Sequence, residues 1–574
     1  MHPSTFISDG LNLTPYELVR IARAPIDPAT LSPTLRVELS EEAIACVHAS
    51  RAIVDDIVTR GELVYGITTG FGAFKDRVIP AEELAQLQVN LVLSHCVGVG
   101  APLACEVVRA MLLCRAHTLS LGYSGIRLET LQLIYDMLNA GIHPLVPEQG
   151  SVGASGDLAP LAHMALTMLG RGDVEWRGEV VPASEALAGA GLKPVTLGPK
   201  EGVALSNGTS LMSALLALAL VDTLTLCDAA DVVGAMTLEA LQGVPAAFDP
   251  RIHAARPHSG QVQSAANIRK LTQDSTLMFR TEDRGVRTES GNGNNASALS
   301  AQHSALDTVR RGKVQDAYSL RCMPQVHGPA RDAAAYVEGV LNIELNSAND
   351  NPLIFNGSTE FDDGNPHSVL GTRYSVLSGG NFHGAPLSVA ADFLGIAVCG
   401  LANISERRQA RLVDKAAHGG LLPAFLTEHG GVNSGFMMVQ YTAAALASEN
   451  KSLAHPASVD TIPTSGNAED HVSMGPIAGR HARAIVANTA RVLALEAMMA
   501  AQAIDFRLKA DPHARMGTGT SAAYEAIRAH IPFLEKDDDM RPHIAAAEAL
   551  VVSGALAKAL AVGTDAPVQH TVIT

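Results

Sequence analysis

The sequence predicts a mainly α-helical protein, an antiparallel bundle of long helices preceded by a smaller mixed N-terminal domain. Three observations predict it. Hydrophobic residues make up 47% and charged residues 17% of 574 residues, the balance of a globular chain with a large core. Aromatics contribute only 4%, Trp176 being the single tryptophan, so the core is Ala, Leu and Val, which suits closely packed helices better than a β-sandwich. Apolar residues recur at helical spacing over 208–243, 385–415, 434–454 and 476–506, well beyond the usual three or four turns. Length bounds the domain number only loosely. The change to long Ala/Leu runs after Asn207 sets the expected division at 1–207 and 208–574.

In chain order, EEAIACVHASRAIVDDIVTRG (41–61) reads as a helix stopped by Gly61. VYGITTGFGAF (64–74) breaks the pattern: Gly66, Gly70 and Gly72 mark a loop in which Tyr65 is either a packing anchor or a proton-transfer group. Residues 80–140 read as helical, interrupted by GVGAP at 98–102. The turn-rich GIHPLVPEQGSVGASG follows, and DLAPLAHMALTMLG resumes a helix. GSVGASGDLAP (150–160) therefore sits at a helix N-terminus, where free N–H groups and the helix dipole favour negative charge. Residues 173–198, with VEWRGEVVPA and KPVTL, read as a small β-ribbon. LMSALLALALV (211–221) stops at Asp222 and is read as a buried helix, too short to cross a bilayer. TEDRGVRTESGNGNNASAL (281–299) and NGSTEFDDGNPHSV (356–369) read as surface loops, and no repeat of fixed period emerges.

Composition excludes several functions. The net charge of −16 argues against nucleic acid or an anionic membrane as the main partner. Seven scattered cysteines with no C-x-x-C pair fit neither a disulfide framework nor a zinc ribbon. MHPSTFISDG lacks the cationic and apolar regions of a signal peptide, so a cytoplasmic protein is expected. Gly70-Phe71-Gly72 and Gly98-Val99-Gly100 each lack the third glycine of a dinucleotide fingerprint, and no phosphate-loop motif occurs. H-E-x-x-H is absent, the 21 histidines are scattered, and no metal is required.

Within GSVGASGDLAP, Ser155 lies between Ala154 and Gly156. A nucleophile elbow, G-x-S-x-G, would need glycine where the chain has Asp157. A tight-turn loop is the other local reading. Further polar segments stand out among the apolar helices: EGVALSNGTS (201–210), KVQDAYSLRCMPQVHG (313–328), SGGNFHG (378–384) and NAEDHVSMG (467–475).

Taken with YGITTGFG and in this order, from about residue 35 to 510, these segments resemble the ammonia-lyase and aminomutase family, which builds a methylidene-imidazolone electrophile from Ala-Ser-Gly. The resemblance implies that the Gly156 amide nitrogen attacks the Ala154 carbonyl and that two waters are lost, leaving Ser155 as a dehydroalanine within a five-membered ring. No external cofactor is then needed. Such closure demands a compressed turn that a Cβ at 156 would obstruct. It also gives the chemistry a reason. Expelling ammonia requires breaking a weakly acidic β C–H bond and losing a poor leaving group, beyond ordinary acid–base catalysis, whereas an electrophile that takes up the amine improves the leaving group.

By the same resemblance Tyr65 is the base that removes the β proton, and Arg321 clamps the substrate carboxylate with its rigid fork. Asn207, Gln315 and Tyr318 surround the electrophile and the amino acid head group, and Phe382 packs near them. On local sequence alone, Asn207 could equally start a helix and Phe382 belong to the core. Glu449 reads as a structural carboxylate. The implied assembly is a homotetramer whose sites combine residues from three chains.

Two positions speak to the substrate. Ser94-His95 is similar to the histidine-specific members, and Glu469 stands where members acting on phenylalanine or tyrosine usually carry glutamine. A carboxylate can exchange a proton with imidazole, whereas burying one against a bare phenyl ring costs about 2 kcal/mol or more. Both positions point to L-histidine, with urocanate and ammonia as products. A phenylalanine or tyrosine lyase, a 2,3-aminomutase, and an inactive helical assembly protein remain alternatives. The polar insertions at 281–299 and 356–369 depart from shorter bacterial members.

Overall fold

The structure is a computed structural model that describes residues 4–27, 32–70, 72–279, 314–357, 369–370 and 374–562. The insertion at 281–299 and most of that at 356–369 lie outside the described residues. The protein is mainly helical, as its composition predicts, with short strands of two to five residues among the described residues. The helix Glu41–Arg60 starts where Ser40 Oγ accepts the Ala43 N–H at 3.0 Å and stops at Gly61, which takes the left-handed φ of 66°.

The predicted long helices form as Ser210–Ala240, Ala385–Val413, Met437–Leu453 and Gly475–Ala510, joined by Met323–Glu344. Their directions divide. Met212, Gly384 and Gly475 adjoin at one end of the bundle, while Arg408, Thr237 and Glu496 meet at the other. The three longest helices are therefore parallel. The returns are antiparallel: Arg331 reaches Asp228 while Glu344 reaches Thr209, and Gln440 reaches Glu406 while Asn450 lies by Cys399. Hydrophobic periodicity fixes a helix's length and buried face, not its direction, so the expected antiparallel packing holds for the return helices while the three longest run parallel.

The expected size limit on 211–221 also changes. Helices Ser210–Ala240, Ala385–Val413 and Gly475–Ala510 are each long and apolar enough to cross a membrane by length and composition, the first because the Ala and Val run continues past Asp222. For Ser210–Ala240 and Gly475–Ala510, 83% of the apolar window is buried inside the protein instead. The β-ribbon is confined to Asp173–Trp176 and Glu179–Pro182, whereas 193–197 has no strand. A parallel strand pair unforeseen in the sequence joins Ser4–Ser8 to Leu35–Leu39. One apolar cluster runs from Phe6 to Ala559, crossing the expected division at 207 without a break.

Candidate active site

The GSVGASGDLAP segment forms a compressed turn. Gly153, Ser155 and Gly156 have φ of 77°, 49° and 80°, all in the left-handed region that disfavours a side chain. Gly156 and Gly208 form a parallel bridge: the Gly208 N–H donates to the Ser155 carbonyl at 3.2 Å and the Asp157 N–H to the Gly208 carbonyl at 2.7 Å. A Cβ at Gly156 would overlap that Gly208 carbonyl, so glycine is a steric requirement here. SNGTS therefore supplies the floor of the turn, between the short helix Glu201–Ser206 and the long one starting at Ser210.

Parallel packing gathers helix N-termini around this turn. Asp157 opens the helix Leu158–Met168, and its Oδ2 accepts the N–H groups of Leu211 and Met212 at 2.7 and 3.1 Å. The Met474 N–H donates to the Val152 carbonyl at 2.8 Å just before the helix Gly475–Ala510, and Gly384 at the head of Ala385–Val413 lies against Met212. Four helix dipoles thus direct partial positive charge toward the turn, a setting that favours electron-rich groups. Burial pushes the Asp157 carboxyl up to about 7. Arg115, fully buried beneath, donates to the Asn207 carbonyl at 2.5 Å, and burial lowers its guanidinium. Asn207 is 9% exposed, and its Oδ1 has no hydrogen-bond partner among the described residues.

Glu469 stands over the turn. Ser155 Oγ donates to Glu469 Oε1 at 3.0 Å, and Thr464 Oγ1 donates to Oε2 at 2.9 Å. Tyr65 lies near enough for the charge of the same carboxylate to act on its phenol. Burial raises the Tyr65 phenol and Glu469 raises it further, against a hydrogen bond from the Gly72 backbone. The short helices Gly72–Phe74 and Ser465–Asn467 pack together, so the tyrosine loop and the glutamate loop form one wall. One chain therefore brings Tyr65, Ser155 and Glu469 together.

The other predicted residues divide into two groups. Phe382 is half-buried beside His383, whose Nε2 donates to the His471 carbonyl at 3.2 Å and whose ring stacks on that of His471 at 5.8 Å. This joins SGGNFHG to NAEDHVSMG. His95 Nδ1 donates to the Leu91 carbonyl at 2.7 Å, close to Ser94 Oγ at 3.0 Å, which leaves Nε2 as an acceptor. By contrast, Gln315 is exposed, Tyr318 is 72% exposed, and Arg321 stacks on Tyr318 at 4.7 Å while its Nε donates to the Asp316 carbonyl at 3.0 Å. None of these three makes a hydrogen bond to the 150–157 turn among the described residues. Glu449 lies exposed on its helix.

The family model described as aromatic amino acid lyase matches residues 13–529. The chain belongs to the aromatic amino acid lyase family. Histidine ammonia-lyase from Chloroflexus aurantiacus is 49% identical over 561 residues, 98% of each chain. Among solved structures, histidine ammonia-lyase from Trypanosoma cruzi is 39% identical with a TM-score of 0.82, covering 99% of this chain and 97% of that one. Tyrosine aminomutase from Streptomyces globisporus is 35% identical with a TM-score of 0.83, covering 99% and 100%.

Two features of this aromatic amino acid lyase escape sequence reasoning. Arg115 and Thr464 are ordinary in local sequence; the only hint of Arg115 is a cation in the apolar helix Cys105–Ser120, where Arg109 and His117 are buried too. A metal-like cluster also appears away from the turn, with donor atoms of Cys105, His143 and Glu175 within 4.8 Å of one another. Arg109, fixed by the carbonyls of Ala22 and Ile21 at 2.9 Å each, donates to His143 Nε2 at 3.2 Å. The neutral imidazole then carries its proton on Nδ1, toward Cys105 Sγ at 3.1 Å, with no lone pair there for an ion. Burial, with Arg109, depresses His143 to about 3, so it remains neutral.

Proposed function

We propose that this protein is a histidine ammonia-lyase, eliminating ammonia from L-histidine to give trans-urocanate. The observation that carries the substrate is the Glu469 carboxylate, 3.0 Å from Ser155 Oγ at the centre of the turn. An imidazole offers this carboxylate a proton to share, which a phenyl ring does not. The near full-length relatives named histidine ammonia-lyase, at 47–49% identity, support the same choice over phenylalanine, tyrosine or mutase chemistry.

The electrophile is a methylidene-imidazolone formed from Ala154, Ser155 and Gly156. Positive φ at Ser155 and Gly156, the excluded Cβ at 156 and the unpartnered Oδ1 of buried Asn207 fit a turn built to close on itself. Once formed, the group supplies an electron-poor methylene for the substrate amine and a ring that withdraws electron density. Tyr65 removes the β proton, Arg321 clamps the carboxylate, and Asn207, Gln315, Tyr318 and Phe382 surround the head group, with Ser94 and His95 beside the imidazole. Tyr318 is largely exposed, with Arg321 stacked on it and neither bonded to the turn of its own chain among the described residues, which supports a homotetramer whose sites are completed across chain boundaries. Seven free cysteines fit a reducing cytoplasm.

Incubating the purified protein with L-histidine, L-phenylalanine and L-tyrosine in turn, and following product absorbance, tests the reading. Urocanate from histidine is expected; its absence, with cinnamate or coumarate formed instead, overturns the substrate.

A further inference from the structure

We infer that the buried ion pair of Lys200 and Asp350 is a positioning device for the reaction: it locks the seat of the tyrosine loop to the segment that carries Asn207, and so holds Tyr65 at its working distance from the Ser155 turn. The inference rests on the reading of Tyr65 as the base. It adds two residues that form no hydrogen bond to the turn or to Tyr65 among the described residues.

Four consecutive residues, Asn349 to Pro352, each hold a different wall of the site. Asn349 Nδ2 donates to Thr209 Oγ1 at 2.9 Å, on the floor next to Gly208. Asp350 Oδ2 accepts from Lys200 Nζ at 2.7 Å, with both side chains fully buried. Asn351 Oδ1 accepts the Gly379 N–H at 2.7 Å, in SGGNFHG. Pro352 packs against Gly66, the residue after Tyr65, so closely that a Cβ there would stand 2.9 Å from its Cδ.

Beyond Pro352 the strands Leu353–Asn356 and Tyr374–Leu377 pair antiparallel. Their Ile354, Tyr374 and Val376 bury Val64 and Ile67 of the tyrosine loop in an apolar cluster that also takes Ile57 and is separate from the one filling the bundle. The tyrosine loop is therefore seated on the strand pair. On the other side, Lys200 opens the buried helix Glu201–Ser206 and Asn207 closes it. So short a helix is a rigid spacer, and fixing Lys200 fixes Asn207.

Stability alone does not account for the pair. Two charges lose their hydration on burial, and apolar side chains of similar volume often stabilise a core as well or better. Lys200 also takes the left-handed φ of 74°, a strained conformation for a residue with a side chain, which persists only where the surroundings over-determine it. What the charges add is direction: an ammonium donates to one carboxylate at one distance, whereas apolar surfaces slide.

Lys200→Met combined with Asp350→Asn removes both charges together and keeps an acceptor for the Asn351 N–H. Intact mass, melting temperature and turnover of L-histidine by the full-length protein test the inference. The double variant should fold, lose two waters at residues 154–156 to the same extent as wild type and keep its KM, while kcat falls by about 100-fold, the effect of displacing a catalytic group by about 1 Å. Val376→Ala, which loosens the seat without touching the pair, should show the same split between kcat and KM. Wild-type kcat in the double variant overturns the inference. So does a double variant that fails to fold, since the pair is then a structural requirement, and so does lost maturation, since the pair then acts on the turn. If Tyr65→Phe turns over histidine as fast as wild type, the underlying reading of the base falls instead.

Discussion

Gly156 lies beneath the carbonyl of Gly208 with no room for a methyl group between them, so two glycines 52 positions apart fix the shape of the Ser155 turn. Replacing Gly156 with Ala should strain a φ of 80° by about 1–2 kcal/mol and add a steric clash of about 1–3 kcal/mol. We expect a lower melting temperature and no two-water loss at residues 154–156, read by calorimetry and intact mass. A variant that matures normally would contradict the steric argument.

Asp157 gives a pH signature. Its carboxyl is raised by burial from 3.8 to about 7 in the folded protein, so its stability contribution is fully present below pH 4 and declines as pH rises through 7. Asp157→Asn keeps an acceptor for the Leu211 and Met212 N–H groups but does not ionise. Between pH 4 and 7 the wild type should lose stability relative to this variant, measured by denaturant unfolding across the range. Parallel curves would dismiss the buried ionisation.

Tyr65→Phe should leave maturation untouched while lowering kcat by about 10²–10⁴-fold, the usual worth of a positioned base. The discriminating measurement pairs intact mass with kcat. Full activity in the phenylalanine variant would remove Tyr65 from proton transfer.

Arg321→Ala should lower kcat/KM by about 10–100-fold, the loss of a charge-assisted hydrogen bond of about 1.5–3 kcal/mol. Since the hydrogen bond and the ring contact that Arg321 makes among the described residues stay within its own segment, reassembling Tyr65→Phe with Arg321→Ala subunits should regenerate some intact sites. Activity above that of either variant alone is the expected result. A mixture no better than its parts would place both groups in one chain.

Glu496 is fully buried and takes Arg408 on both carboxylate oxygens, at 2.6 and 2.7 Å, with Thr237 at 2.7 Å. Glu496→Ala leaves the Arg408 charge uncompensated where three long helices meet, at a cost of about 3–5 kcal/mol. Unfolding by urea should show it, and an unchanged midpoint would mean that water or another anion replaces the carboxylate.

Much of the architecture is legible because helix length follows from apolar spacing: Ser210–Ala240 and Gly475–Ala510 extend only a few residues from their predicted limits. The turn at 150–157 is legible for a different reason, since consecutive small residues record steric crowding directly. Thr464 and Arg115 are not legible, because a hydroxyl or guanidinium acquires its meaning from whichever distant group it faces. The short strands at Ser4–Ser8 and Leu35–Leu39 are missed because five residues carry too little periodicity.

By itself the sequence determined the helical class and the crowded Ala-Ser-Gly turn, because these depend on local sterics and on which residues can be buried. Only the tertiary structure decided that the three longest helices run parallel and bring their N-termini to the turn, and that Ser155, Thr464 and Glu469 form one hydrogen-bonded line. Direction and contact across hundreds of residues arise from packing the whole core, and no local stretch of sequence encodes them.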